Sequence, residues 1–254
     1  DGKGEVITVS QDSDPELFQA IRVSIGTLGI ITRLKLKLDK AYKLEELTRK
    51  ESLQDCLAKL DEYVKDNRNF EFFWFPHTET VQTKFLNITD KPLKKAGFGK
   101  KLGDVVVENW LFWCMSTWAK WFPVASKSVS KISAWGISNG NFVDWSHDIY
   151  ATPRDVRFNE MEYNVPAENF KEALLEIKDM ISQEDIKVHF PVECRWVAED
   201  DLMISPASGR KAAYIAVHQF KGMPYREYFE KAEAIFNKYG GRPHWGKMNF
   251  KKGE

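Results

Sequence analysis

The chain has 254 residues, 43% hydrophobic and 13% aromatic, enough to bury a sizeable core as one large domain or one and a half. Lys plus Arg equals Asp plus Glu at 37 each, so a general nucleic-acid or acidic-lipid footprint has no support. Cys56, Cys114 and Cys194 stand far apart without CxxC spacing, which argues for reduced thiols in a cytosolic compartment and against a zinc site or a disulfide framework.

The opening residues, DGKGE, hold neither an initiator Met nor an apolar signal core, so the chain reads as starting in mid-protein. No run of eighteen apolar residues occurs, and no spanning helix is expected.

Asp14 is placed to cap a short helix with Pro15 at its first position, ending in the SIGTLG stretch at 24–29. Residues 30–38 then alternate. Ile30, Thr32, Leu34, Leu36 and Leu38 share one face, and Ile31, Arg33, Lys35 and Lys37 the other, which predicts a half-buried strand. A strand is expected over 42–49. Residues 51–65 predict one amphipathic helix, with Leu53, Cys56, Leu57, Leu60 and Val64 at helical spacing. Strands at 69–75 and 80–88 flank a turn at 76–79, and the basic stretch 91–101 reads as an exposed loop.

Residues 105–124 carry Trp110, Phe112, Trp113, Trp118, Trp121 and Phe122, interrupted by Glu108 and Lys120. Such a segment suits a membrane interface. The stronger expectation is an aromatic helix packed on its own domain or on a subunit partner. Residues 126–155 read as irregular. A strand at 157–165 leads to a helix from Pro166 with Phe170, Leu174, Ile177 and Ile181 in one stripe. Strands follow at 188–197 and 212–220. A helix at 225–239 points Phe229, Ala232, Ile235 and Phe236 inward, and Gly240-Gly241 stops it. The pattern predicts an α+β fold, helices covering a mostly antiparallel sheet.

The strand at 188–197 carries the sharpest chemical signal. Residues two apart share a face, so Val188, Phe190, Val192, Cys194 and Trp196 form an apolar side, and Glu193 and Arg195 project together from the other. Glu193 suits hydrogen bonds from substrate hydroxyls, and Arg195 suits a developing alkoxide or the anion of a reduced cofactor. Taken alone, this strand reads as a solvated face with a weak Glu/Arg pair.

Residues 242–247, RPHWGK, change that balance. Gly246 allows close backbone approach to a cofactor ring, Lys247 supplies a charge, and His244 a donor or acceptor. His218, alone on a strand, reads first as structural and second as pocket-lining. The SIGTLGII stretch at 24–31 reads as a helix cap before a strand, or as a cradle in which Gly26 and Gly29 offer backbone N–H groups. It is not a dinucleotide fingerprint. The five histidines lack metal-ligand spacing.

Together with FQAIRVSIGTLGIIT at 18–32, FWFPHTE at 73–79, EMEY at 160–163, PVECR at 191–195, Ser205-Pro206 and Gly209-Arg210, these motifs resemble the aldonolactone oxidase family along nearly the whole chain. That family includes L-gulonolactone and D-arabinono-1,4-lactone oxidases and, more distantly, alditol oxidase. The resemblance implies a vanillyl-alcohol-oxidase-type flavoprotein with FAD as cofactor. Residues 1–38 would be the tail of the FAD-binding (PCMH-type) domain, and 39–254 the substrate, or cap, domain. Gly29, Ile30, Ile31 and His244 would touch FAD. Glu193, Arg195, His218 and Lys247 would bind a sugar lactone or polyol, with Glu193, Arg195 and Lys247 catalytic.

The family's N-terminal flavin-binding segment and the stretch after the HWGK motif do not occur here. The chain therefore reads as a segment that, alone, holds FAD weakly and needs the parent chain's FAD domain. Alditol oxidase carries a hydroxyl residue where this sequence has Phe220, which favours a lactone. The expectation is oxidation of a sugar 1,4-lactone, the flavin reoxidised by oxygen or another acceptor, in a cytoplasmic protein; peripheral membrane contact through 105–124 stands second to packing of that helix on protein. The alternatives are an alditol (xylitol or sorbitol) oxidase and a non-catalytic membrane-docking module.

Overall fold

The computed structural model describes residues 2–94, 109–151 and 156–251. In chain order the elements are α1 (Pro15–Arg22), β1 (Lys43–Ser52), α2 (Leu53–Ala58), α3 (Leu60–Asp66), β2 (Asn69–Trp74) and β3 (Thr80–Ile88). Next come α4 (Asn109–Trp121), α5 (Ser126–Gly136), β4 (Gly140–Trp145), α6 (Ser146–Tyr150) and β5 (Phe158–Pro166). The last are α7 (Phe170–Gln183), β6 (Val192–Val197), β7 (Ala212–Phe220), α8 (Arg226–Lys238) and β8 (Arg242–Pro243). The strands form one eight-stranded sheet in the order β4-β1-β3-β2-β6-β7-β5-β8. Its strand pairings are antiparallel, as the α+β expectation required.

One face of the sheet is apolar because alternate residues point the same way. Phe72, Trp74, Val192, Cys194, Ile215, Val217, Met161 and Tyr163 lie on it, buried against Leu53 and Cys56 of α2, Phe170, Leu174 and Ile177 of α7, and Phe229 and Phe236 of α8. The opposite face carries the charges. Helix starts and stops follow local chemistry: the Asp14 carboxylate accepts from Leu17 N–H at 3.0 Å, and Gly240 at φ +71° follows α8.

Several elements differ from expectation. Residues 30–38 form no strand. Among the described residues no strand pairs with them, so their apolar alternation is unburied, with Ile30 89% and Leu38 82% exposed. The helix expected over 51–65 divides at Lys59 (φ −101°, ψ 6°), and each half seats its own buried pair, Leu53 with Cys56 and Leu60 with Tyr63. Within the region read as irregular, residues 126–136, 140–145 and 146–150 form α5, β4 and α6. Gly140, Asn141 and Asp144 hide the alternation of β4 in the sequence. The strand expected over 188–197 is regular only from Val192. Residues 95–101 and 105–108 of the expected loop and aromatic segment lie outside the described residues.

The aromatic segment seats Phe112 on its own domain, 5.0 Å from Phe190, and turns its tryptophans outward. Ser116 and Ala119 are the fully buried positions of α4, while Trp110, Trp113, Trp118 and Trp121 are exposed.

Candidate functional site

β6, β7 and β5 lie side by side, and their register sets the polar face of the sheet. Arg195 pairs with Tyr214 across β6 and β7; Glu193 pairs with Ala216, and Ala216 in turn with Glu162 on β5; His218 pairs with Glu160. Three strands thus bring Glu193, Arg195, Tyr214, His218, Glu160 and Glu162 onto one patch around the methyl of Ala216. Glu193 is 5% and Glu162 1% exposed, so this is not the solvated face that β6 suggests by itself.

Lys247 arrives from the C-terminal loop. β8 pairs with β5, and the loop is then tied to the same strand: His244 N–H donates to Glu162 O at 2.9 Å and Met248 N–H to Glu160 O at 3.1 Å. Lys247 Nζ donates to Glu160 Oε2. Glu160 Oε1 faces His218 Nε2 at 3.5 Å. His218 Nδ1 lies 3.0 Å from Pro191 O, and a carbonyl only accepts, so Nδ1 carries a proton.

Charge is balanced locally. Arg195 Nη2 donates to Glu162 Oε1 at 2.5 Å, and Nη1 lies 3.8 Å from Glu193 Oε1. Burial alone would lower the Arg195 guanidinium's affinity for its proton; the Glu162 and Glu193 charges outweigh it and raise the pKa. For Glu160, burial would raise the carboxyl, but the hydrogen bonds from His218 and Lys247 bring it down to about 2. The polar row continues outward, where Lys84 Nζ bridges Glu71 at 3.2 Å and Glu46 at 3.5 Å.

The structure thus gathers Glu193, Arg195, His218 and Lys247. His244 sits at the rim. Its Nδ1 accepts from Gly246 N–H at 3.1 Å, leaving Nε2–H as a donor, and its ring lies 6.3 Å from that of Tyr214. Gly29, Ile30 and Ile31 are not drawn into the cluster. They lie in a coil whose preceding helix is tied to the body of the chain through Gln19 Nε2 and Asp201 Oδ2 at 2.9 Å. Phe220 lies on the same sheet face, two residues beyond His218 on β7, in an apolar group with Val156, Phe190 and Met223 that borders the polar patch through Phe158, whose ring lies 5.0 Å from that of His218.

Glu160 and Glu162 are the residues that sequence reasoning missed. The EMEY motif places them two apart on one strand face, but their partners come from β6, β7 and the C-terminal loop, 33 to 87 positions away. A cleft of about 770 Å³ lined by Lys65, Trp196 and Lys171 lies elsewhere on the molecule and gathers no comparable set.

The chain belongs to the D-arabinono-1,4-lactone oxidase family, whose model matches residues 34–254. It is 36% identical over 248 residues to the L-gulono-1,4-lactone dehydrogenase of Mycobacterium tuberculosis. It is 32% identical over 256 residues to the L-gulonolactone oxidase of Bos taurus. Each match covers 97% of this chain and 57% of the relative, so the chain spans a little over half the length of these proteins. Among solved structures, a cholesterol oxidase from B. sterolicum superposes with a TM-score of 0.57 at 14% identity, over 82% of this chain and 49% of that one. A solvent-stable cholesterol oxidase gives 0.56 at 16%. At that identity the likeness speaks to fold alone, and it agrees with the α+β fold expected from the sequence.

Proposed function

We propose that the parent protein oxidises a sugar 1,4-lactone, D-arabinono- or L-gulono-, at the carbinol carbon beside the carbonyl. The observation that carries this reading is the convergence of Arg195, Lys247, Glu193 and His218 on one sheet face of a chain in this family. Oxidising a carbinol removes a hydroxyl proton and a hydride. Glu193 accepts hydrogen bonds from substrate hydroxyls. Arg195 and Lys247 stabilise the oxygen as it gains negative charge. His218 lines the substrate site, its ring held between Pro191 O and the Glu160 carboxylate.

The cofactor of this reading is FAD, which supplies the hydride acceptor. The described residues fit it: two cations and the Nε2–H of His244 form a donor set suited to a ring that becomes anionic on reduction. Gly29, Ile30 and Ile31 are assigned backbone contacts to FAD, and the N-terminal domain of the parent chain its main binding. Phe220, which stands where alditol oxidase carries a hydroxyl residue, favours a lactone over a polyol such as xylitol.

The test is anaerobic flavin reduction in the full-length protein. Arg195→Ala and Lys247→Ala should slow reduction by lactone while leaving bound FAD largely intact. Near-normal rates in both would refute the assigned site.

A second reading concerns location: a cytoplasmic protein whose α4–α5 hairpin rests on an anionic membrane surface. Trp121 is 74% and Trp135 81% exposed, and residues 109–143 contain three lysines and no Asp or Glu. No described helix is long and apolar enough to cross a membrane.

A further inference from the structure

Arg195 and Glu162 stand on strands that are not neighbours. β7 lies between them, and two strand spacings amount to roughly 10 Å. The Arg195 side chain crosses that distance to place Nη2 2.5 Å from Glu162 Oε1. Two residues of β7 permit the crossing. The ring of Tyr214 lies 5.4 Å from the guanidinium carbon, a cation–π contact. Ala216, in register with both Glu193 and Glu162, places only a methyl in the path.

The burial of the pair is lopsided. The Glu162 side chain is 1% exposed and that of Arg195 40%. Glu162 Oε2 is buried and takes no hydrogen bond among the described residues. A buried carboxylate satisfied on one oxygen is a poor stabilising device, since its desolvation cost is only partly offset. Glu193 competes for the same guanidinium from 3.8 Å on the other side.

We propose that Glu162 is a positioning residue for the reaction. It draws the guanidinium of Arg195 across β7, so that its exposed N–H edge is held at one place on the site face. The inference rests on the reading of Arg195 as the cation that stabilises the reacting oxygen.

The experiment uses the full-length, FAD-loaded protein and four variants: Glu162→Gln, Glu162→Asp, Arg195→Ala and the Arg195→Ala/Glu162→Gln double. Anaerobic stopped flow gives the limiting flavin-reduction rate and the apparent lactone Kd, and calorimetry gives Tm. A misplaced catalytic group costs up to about 100-fold. Glu162→Gln is therefore expected to cut the limiting rate by roughly 10- to 100-fold, with a much smaller change in Kd and an unchanged Tm. Glu162→Asp, which keeps the charge, should recover part of the loss.

In the Arg195→Ala background the Glu162→Gln change should cost nothing further, because its effect runs through Arg195. A wild-type rate in Glu162→Gln, or a loss that multiplies in the double variant, would overturn the proposal. If Glu162→Gln does not fold, Glu162→Asp carries the test: a reduced rate at unchanged Tm supports positioning, and a wild-type rate overturns it. A normal rate in Arg195→Ala would instead sink the underlying reading of the site.

Discussion

Lys247 and Glu160, 87 positions apart in the chain, form an ion pair that fastens the C-terminal loop to β5. The second oxygen of the same carboxylate faces His218. One acidic side chain therefore sets two of the groups assigned to the substrate, and its ionisation governs both.

Glu160 makes stability depend on acid in a defined direction. Its pKa of about 2 in the folded chain lies below the ordinary 4.5. Its stabilisation is complete above pH 4.5 and is lost as pH falls from there through 2. Glu160→Gln should be less stable than wild type at pH 7, by at most roughly 3 kcal/mol. Its stability should also fall less steeply below pH 4.5. Urea midpoints measured across that range check this, and equal slopes in the two proteins would contradict it.

Lys247 is expected to act on chemistry more than on flavin content. Replacing a charge-stabilising donor costs about 100- to 1,000-fold in the chemical step. Lys247→Met in the full-length protein should show a loss of that order in flavin reduction, with FAD occupancy unchanged by absorbance. Parallel losses of rate and FAD would place Lys247 in cofactor binding instead.

His189 predicts a second, milder acid sensitivity. It is fully buried, its Nε2 lies 2.9 Å from Ser116 Oγ, and Nδ1 has no hydrogen bond among the described residues. Burial lowers its pKa to about 4 from 6.5. Stability is thus full above pH 6.5 and declines as pH falls toward 4. By pH 5 the expected loss is about 2 kcal/mol. The fall in Tm between pH 7 and pH 5 should be smaller in His189→Gln than in wild type.

What could be read from the sequence was what local chemistry decides. α8 is set by the stripe of Phe229, Ala232 and Phe236 and by the glycine stop after it. β7 is legible as a short, mostly apolar run, and it is buried on both faces. The failures are non-local. Residues 30–38 alternate well, yet alternation offers a face without supplying a paired edge or anything to cover it. Glu193 and Arg195 were visible because they share a strand. Glu160 and Glu162 were not, because their roles depend on which strands flank β5 and on a loop that returns to it. Which way the rings of α4 face could not be read, because aromatic content suits its own domain, a subunit partner and a membrane surface alike.

The exposed tryptophans yield a prediction about surfaces. Substitutions at exposed positions without buried partners usually change stability by less than about 0.5 kcal/mol. The Trp121→Ser/Trp135→Ser variant should therefore keep the wild-type Tm. It should lose co-sedimentation with vesicles containing anionic lipid, if the α4–α5 hairpin is the contact. Unchanged sedimentation would move the contact elsewhere, and no sedimentation in wild type would remove the membrane reading.

The most direct measurement is anaerobic bleaching of flavin absorbance in the full-length protein. L-gulono-1,4-lactone, D-arabinono-1,4-lactone and xylitol would be mixed with it in parallel. Bleaching by a lactone is the predicted result. Bleaching by xylitol alone would assign the site to a polyol, and the absence of bound flavin would contradict the oxidoreductase account altogether.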